Sequence, residues 1–108
     1  MKINIKNNST DKPMKIQVLR NFLVFCQEFS PLKKNINIVF VDRTDTPNYE
    51  NMYLIETKNY TPIELVNKIS QIWIDEFSKQ RRIPCTEREV SIMANTFIEK
   101  NPNINLIS

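Results

Sequence analysis

Three residues of this chain have the types and the order that a metal-dependent nuclease needs. Asp45 precedes Glu56 and Lys58, and the last two stand one residue apart at the end of an apolar segment. Such nucleases use carboxylates to fix a divalent ion beside the scissile phosphate, and a lysine to stabilise the charge that develops there. Asp45, Glu56 and Lys58 are therefore the candidate catalytic residues.

The segment around these residues resembles the PD-(D/E)xK nuclease family. An aspartate is followed by Tyr53-Leu54-Ile55-Glu56-Thr57-Lys58 and then by a predicted helix. The resemblance implies that Asp45 and Glu56 hold the metal ion and that Lys58 assists catalysis, with Glu28 as an extra ligand. The alternative, from the residues alone, is that Glu56 and Lys58 are solvent-facing residues at the end of a strand.

Two short basic clusters are candidates for contact with a nucleic-acid backbone. They are Lys33-Lys34 and the run that contains Lys79, Arg81 and Arg82. Lysine and arginine side chains neutralise phosphates, although the formal net charge of the chain is only +3. No aromatic residue is interleaved with the second run, which disfavours binding through stacked bases. The alternative is that cations near a helix C-terminus complement the helix dipole.

The tyrosines are the candidates for recognition of a protein partner. Tyr49, Tyr53 and Tyr60 cluster around the polar segment between two predicted strands. Exposed tyrosines supply a large contact area at a low cost in conformational entropy. We favour Tyr49 and Tyr53 for this role, because Tyr60 can pack onto Leu65 at the start of a helix.

The residues that the chain lacks exclude many kinds of chemistry. It has no histidine, which removes the Ser/His/Asp and Cys/His triads and the commonest general base near neutral pH. It has no glycine, so it lacks the glycine-rich nucleotide-binding loops. Cys26 and Cys85 form no CxxC pair, so neither a disulfide framework nor a zinc site is predicted. We therefore expect no cofactor and no metal.

The location and source of the protein follow from weaker features. No apolar run is long enough to span a membrane, and Met1 to Asn8 alternates polar and apolar residues instead of forming a signal-peptide core. We therefore expect a cytoplasmic protein with no membrane partner. Isoleucine, asparagine and lysine are heavily used, which indicates an AT-rich genome such as that of a low-GC bacterium, a phage or a large virus.

The apolar patterns predict six elements in the order strand, helix, strand, strand, helix, helix. A first-turn proline places the start of the first helix near Pro13. Thr61-Pro62-Ile63-Glu64 is a capping box that begins the second helix, and Thr86-Glu87-Arg88-Glu89 repeats it for the third. The other predicted bounds are a strand at 2–6, the first helix ending before Ser30-Pro31, strands at 36–41 and 52–57, and the third helix ending at Asn101-Pro102.

These elements predict one α+β domain over residues 1–108, with a small, mainly antiparallel sheet and two to three helices packed mostly on one face. The antiparallel expectation rests on the connection Asp42 to Asn51, whose length is within the hairpin range. Ile36 to Val41 is apolar on both faces, which predicts a central strand. The tail predicts either an edge strand through Ile104 and Leu106 or a frayed end.

Three residues of the second helix carry predictions about packing. Trp73 lies on its apolar stripe and is predicted to be a core residue. Ile63 and Ile74 fall off that stripe, so they predict either a second contact surface, such as a homodimer interface, or a helix covered on several sides.

The function expected from these features is that of a non-catalytic interaction module. We expect a small regulatory or inhibitory protein of a phage, a virus or a mobile element, which binds a host or viral macromolecule, with a protein as the first-ranked partner. The alternatives are the nuclease described above and a DNA- or RNA-binding accessory protein that uses the basic clusters.

Overall fold

The computed structural model describes residues 4–43, 52–81 and 87–104. The fold is α+β, and its six elements follow the predicted order. They are the strands β1 (Asn4–Asn8), β2 (Asn37–Val41) and β3 (Met52–Glu56), and the helices α1 (Pro13–Phe29), α2 (Pro62–Arg81) and α3 (Glu87–Lys100).

The three strands form one parallel sheet, so the prediction of a mainly antiparallel sheet is wrong. β2 lies in the centre, as predicted, between β1 and β3. Asn37 of β2 pairs with Asn4 of β1 and with Met52 of β3, and both pairings are parallel. A five-residue strand is only about 17 Å long, whereas ten extended residues span up to about 33 Å. The connection 42–51 is therefore long enough to return to the other end of the sheet, and its hairpin-like length was misleading.

The helices begin and end where local residue chemistry predicts. Pro13 begins α1, and the backbone N–H of Ser30 closes its last turn on the carbonyl of Cys26 at 2.8 Å. The capping box of α2 is formed, because the amide of Glu64 donates to Thr61 Oγ1 (3.3 Å) and the amide of Thr61 donates to Glu64 Oε1 (3.0 Å). The capping box predicted for α3 begins at Thr86, outside the described residues, and α3 itself ends before Asn101-Pro102 as predicted.

The helices cover one face of the sheet and share a core with it. Trp73 is fully buried, as predicted, and its indole N–H donates to the carbonyl of Ser30 at 2.8 Å. Ile74 is also buried (2% exposed), and Ile63 packs against the same core. Because α2 contacts both α1 and α3, these isoleucines cover the chain's own core. They therefore fit the alternative of a helix covered on several sides, and the homodimer interface stays a prediction.

The other face of the sheet is only partly covered by the described residues. Val39 and Val41 of β2 are half-buried, whereas Ile38 and Phe40 on the helix side are buried. The apolar residues on the two faces of β2 are therefore buried to different degrees. We call this side the open face; it contains a depression of about 620 Å³, lined by residues such as Leu54.

Two further predictions concern the tail and the membrane. Ile104 is buried in a short turn, where its N–H donates to the carbonyl of Asn101 at 3.1 Å, so the edge strand predicted through it is wrong. A turn satisfies the backbone locally, and the other residue of that prediction, Leu106, lies outside the described residues. Within the described ranges, no helix has the length and apolarity needed to cross a membrane.

Candidate functional site

The side chain of Gln80 joins the two basic clusters that the sequence shows far apart. Gln80 lies in the last turn of α2, and its Oε1 accepts the backbone N–H groups of Lys33 (2.7 Å) and Lys34 (2.8 Å). Its Nε2 donates in return to the carbonyl of Lys34 at 3.3 Å. The loop 31–36 between α1 and β2 is therefore fastened to the end of α2.

Two cations of α2 flank this junction. Arg81 donates from Nη2 to the carbonyl of Pro31 at 3.1 Å, and its guanidinium lies 5.2 Å from the centre of the Phe77 ring. Residues two apart on a helix are separated by about 200°, so Lys79 projects from nearly the opposite side of α2 to Arg81. We call Lys33, Lys34 and Arg81 the basic surface; all three side chains are exposed, as is that of Lys79. Arg82, the fifth predicted cation, lies outside the described residues.

A buried carboxylate supports Gln80 from the side of the core. Glu76 is only 6% exposed, and its Oε1 accepts a hydrogen bond from Gln80 Nε2 at 3.0 Å. The hydroxyl of Tyr53 on β3 donates to Glu76 Oε2. Burial raises the pKa of Tyr53 well above its usual range, and its bond to the Glu76 carboxylate raises it further. A hydrogen-bonded chain therefore runs from β3 through α2 to the basic loop.

This chain changes the interpretation of the tyrosines. Tyr53 is half-buried and directs its hydroxyl to Glu76, so it is engaged within the fold and does not offer a free hydroxyl to a partner. Tyr60 is half-buried beneath the ammonium group of Lys68, which lies 3.7 Å from the ring centre. Tyr49 lies outside the described residues.

A second polar cluster lies at the carboxyl edge of the sheet, where all three parallel strands end. Asp42, just after β2, accepts hydrogen bonds from the amide of Thr10 (2.8 Å) and the hydroxyl of Ser9 (3.1 Å), both from the loop after β1. Ser9 also shares a hydrogen bond with the hydroxyl of Thr57, after β3, at 2.5 Å. The amide of Thr10 is the main cause of a lowered pKa for Asp42, and the charge of Lys58 contributes. The cluster thus ties the three strand ends together.

A nearly buried ion pair lies beside this cluster. Lys15 Nζ is 2.6 Å from Asp11 Oδ2, with the two side chains only 6% and 8% exposed. The same ammonium donates to the carbonyl of Thr57 at 2.6 Å. Its partners account for the burial of Lys15, because a buried charge is stable only when it is paired and hydrogen-bonded. We therefore assign Lys15 a structural role.

The structure describes only some of the predicted nuclease residues, so this site stays a prediction. Asp45 lies outside the described residues. Glu56 borders a depression beside α2 and Lys58 borders one at the start of α1, and Tyr60 lines both depressions. Glu28 stands near the far end of α1, about 22 Å along the helix from Pro13. Among the residues that the structure describes, no group of three histidines, cysteines or carboxylates is arranged to hold a metal ion.

Sequence reasoning missed two parts of this arrangement. Gln80, which lies within the second basic run, was not predicted to have a role, although its i, i+4 spacing from Glu76 predicts a side-chain pair on one helix face. The carboxyl-edge cluster was missed because it requires parallel strands, which bring Ser9, Asp42 and Thr57 to the same edge.

Comparisons with known proteins found no protein-family model, no curated protein and no solved structure that matches this chain.

Proposed function

We propose that this chain is a non-catalytic interaction module that binds the phosphate backbone of a nucleic acid through its basic surface. The observation that supports the proposal is the junction at Gln80, which unites two basic clusters separated by 46 residues in the sequence. This junction raises nucleic-acid binding from an alternative to the first-ranked function. The helix dipole accounts for Lys79 and Arg81 near the C-terminus of α2, but it gives no reason for the lysines of the loop.

The composition of the basic surface favours the backbone over the bases as the target. Phe77, the aromatic ring next to Arg81, is half-buried with the guanidinium near it, and so is poorly placed to stack on a base. Each phosphate that a protein neutralises contributes about −0.9 to the slope of log K against log salt concentration. We therefore expect strong salt dependence and little sequence preference.

The proposal is tested by fluorescence anisotropy with a labelled DNA duplex and a labelled single strand, at salt concentrations from about 50 to 200 mM. The decisive variant is Lys33→Gln/Lys34→Gln, and its matched control is Lys6→Gln/Lys58→Gln, which removes the same charge from exposed positions elsewhere. We expect the first variant to bind at least about tenfold more weakly, with a shallower salt slope. Equal losses in both variants, or no binding by the wild type, would contradict the proposal.

The same samples test the nuclease alternative. Labelled nucleic acid is incubated with manganese, and fragment length is measured. Cutting that requires metal and is lost on Glu56→Gln would overturn the non-catalytic assignment.

A protein partner is the second candidate, and the observation that favours it is the open face of the sheet. Half-buried apolar side chains such as Val39 and Leu54 line its depression, with Lys6 and Arg43 also in the lining. Capture of a purified protein that is lost on Val39→Lys/Leu54→Lys, but retained by Lys33→Gln/Lys34→Gln, would favour this candidate. An origin in a phage, a virus or a mobile element is supported by residue usage, and a regulatory or inhibitory role by the lack of histidine and glycine motifs in the sequence.

A further inference from the structure

We infer that Gln80 is the positioning residue of the basic surface, so that affinity for nucleic acid depends on an uncharged side chain that need not touch the ligand. The inference rests on the proposed function and names the residue that prepares its site. It is carried by the hydrogen bonds of Gln80 and by the support that those bonds receive from the core.

The side chain of Gln80 uses its full hydrogen-bonding capacity in one orientation. Its oxygen accepts two N–H groups, from Lys33 and Lys34, and its amide nitrogen donates to the carbonyl of Lys34 and to the carboxylate of Glu76. An amide group has two acceptor positions and two donor hydrogens. Exchanging its oxygen and nitrogen would set donors against donors and acceptors against acceptors. The orientation of Gln80 is therefore fixed by its four contacts.

The core holds the far end of this arrangement. Glu76 is 6% exposed and receives the hydroxyl of Tyr53 on the side opposite to Gln80. Because Tyr53 belongs to β3 and Glu76 to α2, the position of Gln80 is set by the sheet and the helix together. The position of the loop that contains Lys33 and Lys34 is therefore fixed by its contacts with the folded core.

This arrangement affects binding through entropy. The loop 31–36 has no regular structure, and ordering such a segment at the moment of binding reduces affinity. By holding Lys33 and Lys34 in place beforehand, Gln80 removes that cost from the binding step. Arg81 bonds to the carbonyl of Pro31 in the same loop, so we expect its charge to act together with those of the two lysines.

The geometry allows a rival role for Gln80 that predicts the opposite result. The N–H groups of Lys33 and Lys34 converge on a single oxygen, as the N–H groups of an anion-binding concavity do. If a phosphate oxygen bound these N–H groups in place of Gln80 Oε1, the glutamine would compete with the nucleic acid for them. Removing it would then strengthen binding.

The test compares Gln80→Met with Gln71→Met. Both substitutions keep the net charge and introduce a good helix former into α2. Gln71 lies nine residues before Gln80 and donates to Asp75 on the same helix. Affinity for the DNA duplex is measured by anisotropy across the salt range, and protection of the Lys33 and Lys34 amides is measured by hydrogen exchange.

We expect Gln80→Met to bind about fivefold to tenfold more weakly than the wild type, which corresponds to the loss of about one phosphate contact at 0.1 M salt. The salt slope should become shallower, and the two lysine amides should exchange faster. Gln71→Met should match the wild type in both measurements. A purely structural role would lower the midpoint of thermal unfolding without changing the salt slope.

Tyr53→Phe provides a second variant if Gln80→Met folds poorly. It removes the support of Glu76 at constant net charge, and it should weaken binding in the same direction by a smaller factor. Unchanged or tighter binding by either variant, while Lys33→Gln/Lys34→Gln still loses affinity, would overturn the positioning role and leave the proposed function intact. Absence of binding by the wild type would overturn both.

Discussion

At the scale of single residues, three charged side chains of the fold are each held by several partners. Lys15 contacts a carboxylate and a backbone carbonyl, Glu76 contacts two side chains, and Asp42 accepts bonds from two loop residues. Satisfied groups of this kind are expensive to disturb, because removing one partner leaves the other buried without compensation. Two predictions follow from particular contacts.

The substitution Lys15→Met should lower the free energy of unfolding by about 3–5 kcal/mol, because it leaves the buried carboxylate of Asp11 without its cation. Urea denaturation at neutral pH measures the change. Lys6→Met, at an exposed position of β1, should cost far less. A loss below about 1 kcal/mol for Lys15→Met would mean that the pair behaves like an exposed one.

The substitution Asp42→Asn should make stability less dependent on pH. Hydrogen bonds from Thr10 lower the pKa of Asp42 in the folded state, so the carboxylate adds stability that is fully present above its unfolded pKa of about 3.9. That contribution is lost as the pH falls through the folded pKa. In urea denaturation, the gap in stability between wild type and variant should therefore narrow below about pH 4. If the difference in unfolding free energy between wild type and Asp42→Asn did not change with pH, the loss of stability would come from altered hydrogen bonds and not from the charge of Asp42.

At the scale of elements, the helices could be predicted from sequence more completely than the sheet. Pro13, Thr61 and Pro102 act on the turn in which they lie, so the helix ends follow from local chemistry. The direction of β3 relative to β2 depends on the path of the segment that connects them. The length of residues 42–51 is compatible with a hairpin loop and also with a crossover to the other end of the sheet. The local pattern therefore predicted the strands and missed their parallel pairing.

The capping box of α2 permits a test at this scale. Thr61→Ala should lower the free energy of unfolding by about 1 kcal/mol, because the amide of Glu64 loses its hydroxyl acceptor. Thr61→Ser keeps that hydroxyl and should retain most of the stability. Thermal unfolding monitored by circular dichroism compares the two, and equal midpoints would show that the cap contributes nothing measurable.

The candidate site divides in the same way between local and distant information. Lys33, Lys34, Lys79 and Arg81 were predicted as cations from residue type alone. The contact between the loop lysines and the end of α2 depends on hydrogen bonds from Lys33 and Lys34 to Gln80. These partners are 47 and 46 positions apart in the chain, so no local pattern predicts the bonds. The hydrogen bond of Tyr53 could not be predicted for the same reason, because its partner Glu76 lies 23 residues away.

At the scale of the whole molecule, one buried cluster connects the helices to the sheet. It includes Leu23 of α1, Phe40 of β2, Trp73 of α2 and Met93 of α3. The apolar positions that make up this cluster were predictable from periodicity. Their assembly on one face of the sheet followed from the need of each helix to bury its apolar stripe.

The single tryptophan allows the unity of this core to be measured. Trp73 is fully buried and bonded to Ser30, so its fluorescence reports on tertiary packing, whereas far-ultraviolet circular dichroism reports on the helices. If residues 1–108 form one cooperative domain, the two urea transitions should coincide. Separate transitions would contradict the prediction of a single domain.

The parallel sheet also has a consequence for the order in which the chain folds. Asn37 of β2 pairs with Asn4 of β1, which is 33 residues away in the sequence. It also pairs with Met52 of β3, and this sequence separation is less than half as large. Closing the shorter loop costs about 0.7 kcal/mol less in chain entropy. β2 and β3 should therefore meet first on the folding pathway, and β1, whose residues are mostly exposed, should join last. β1 is thus synthesised before β2 and β3, but it can pair only after β2 has been made.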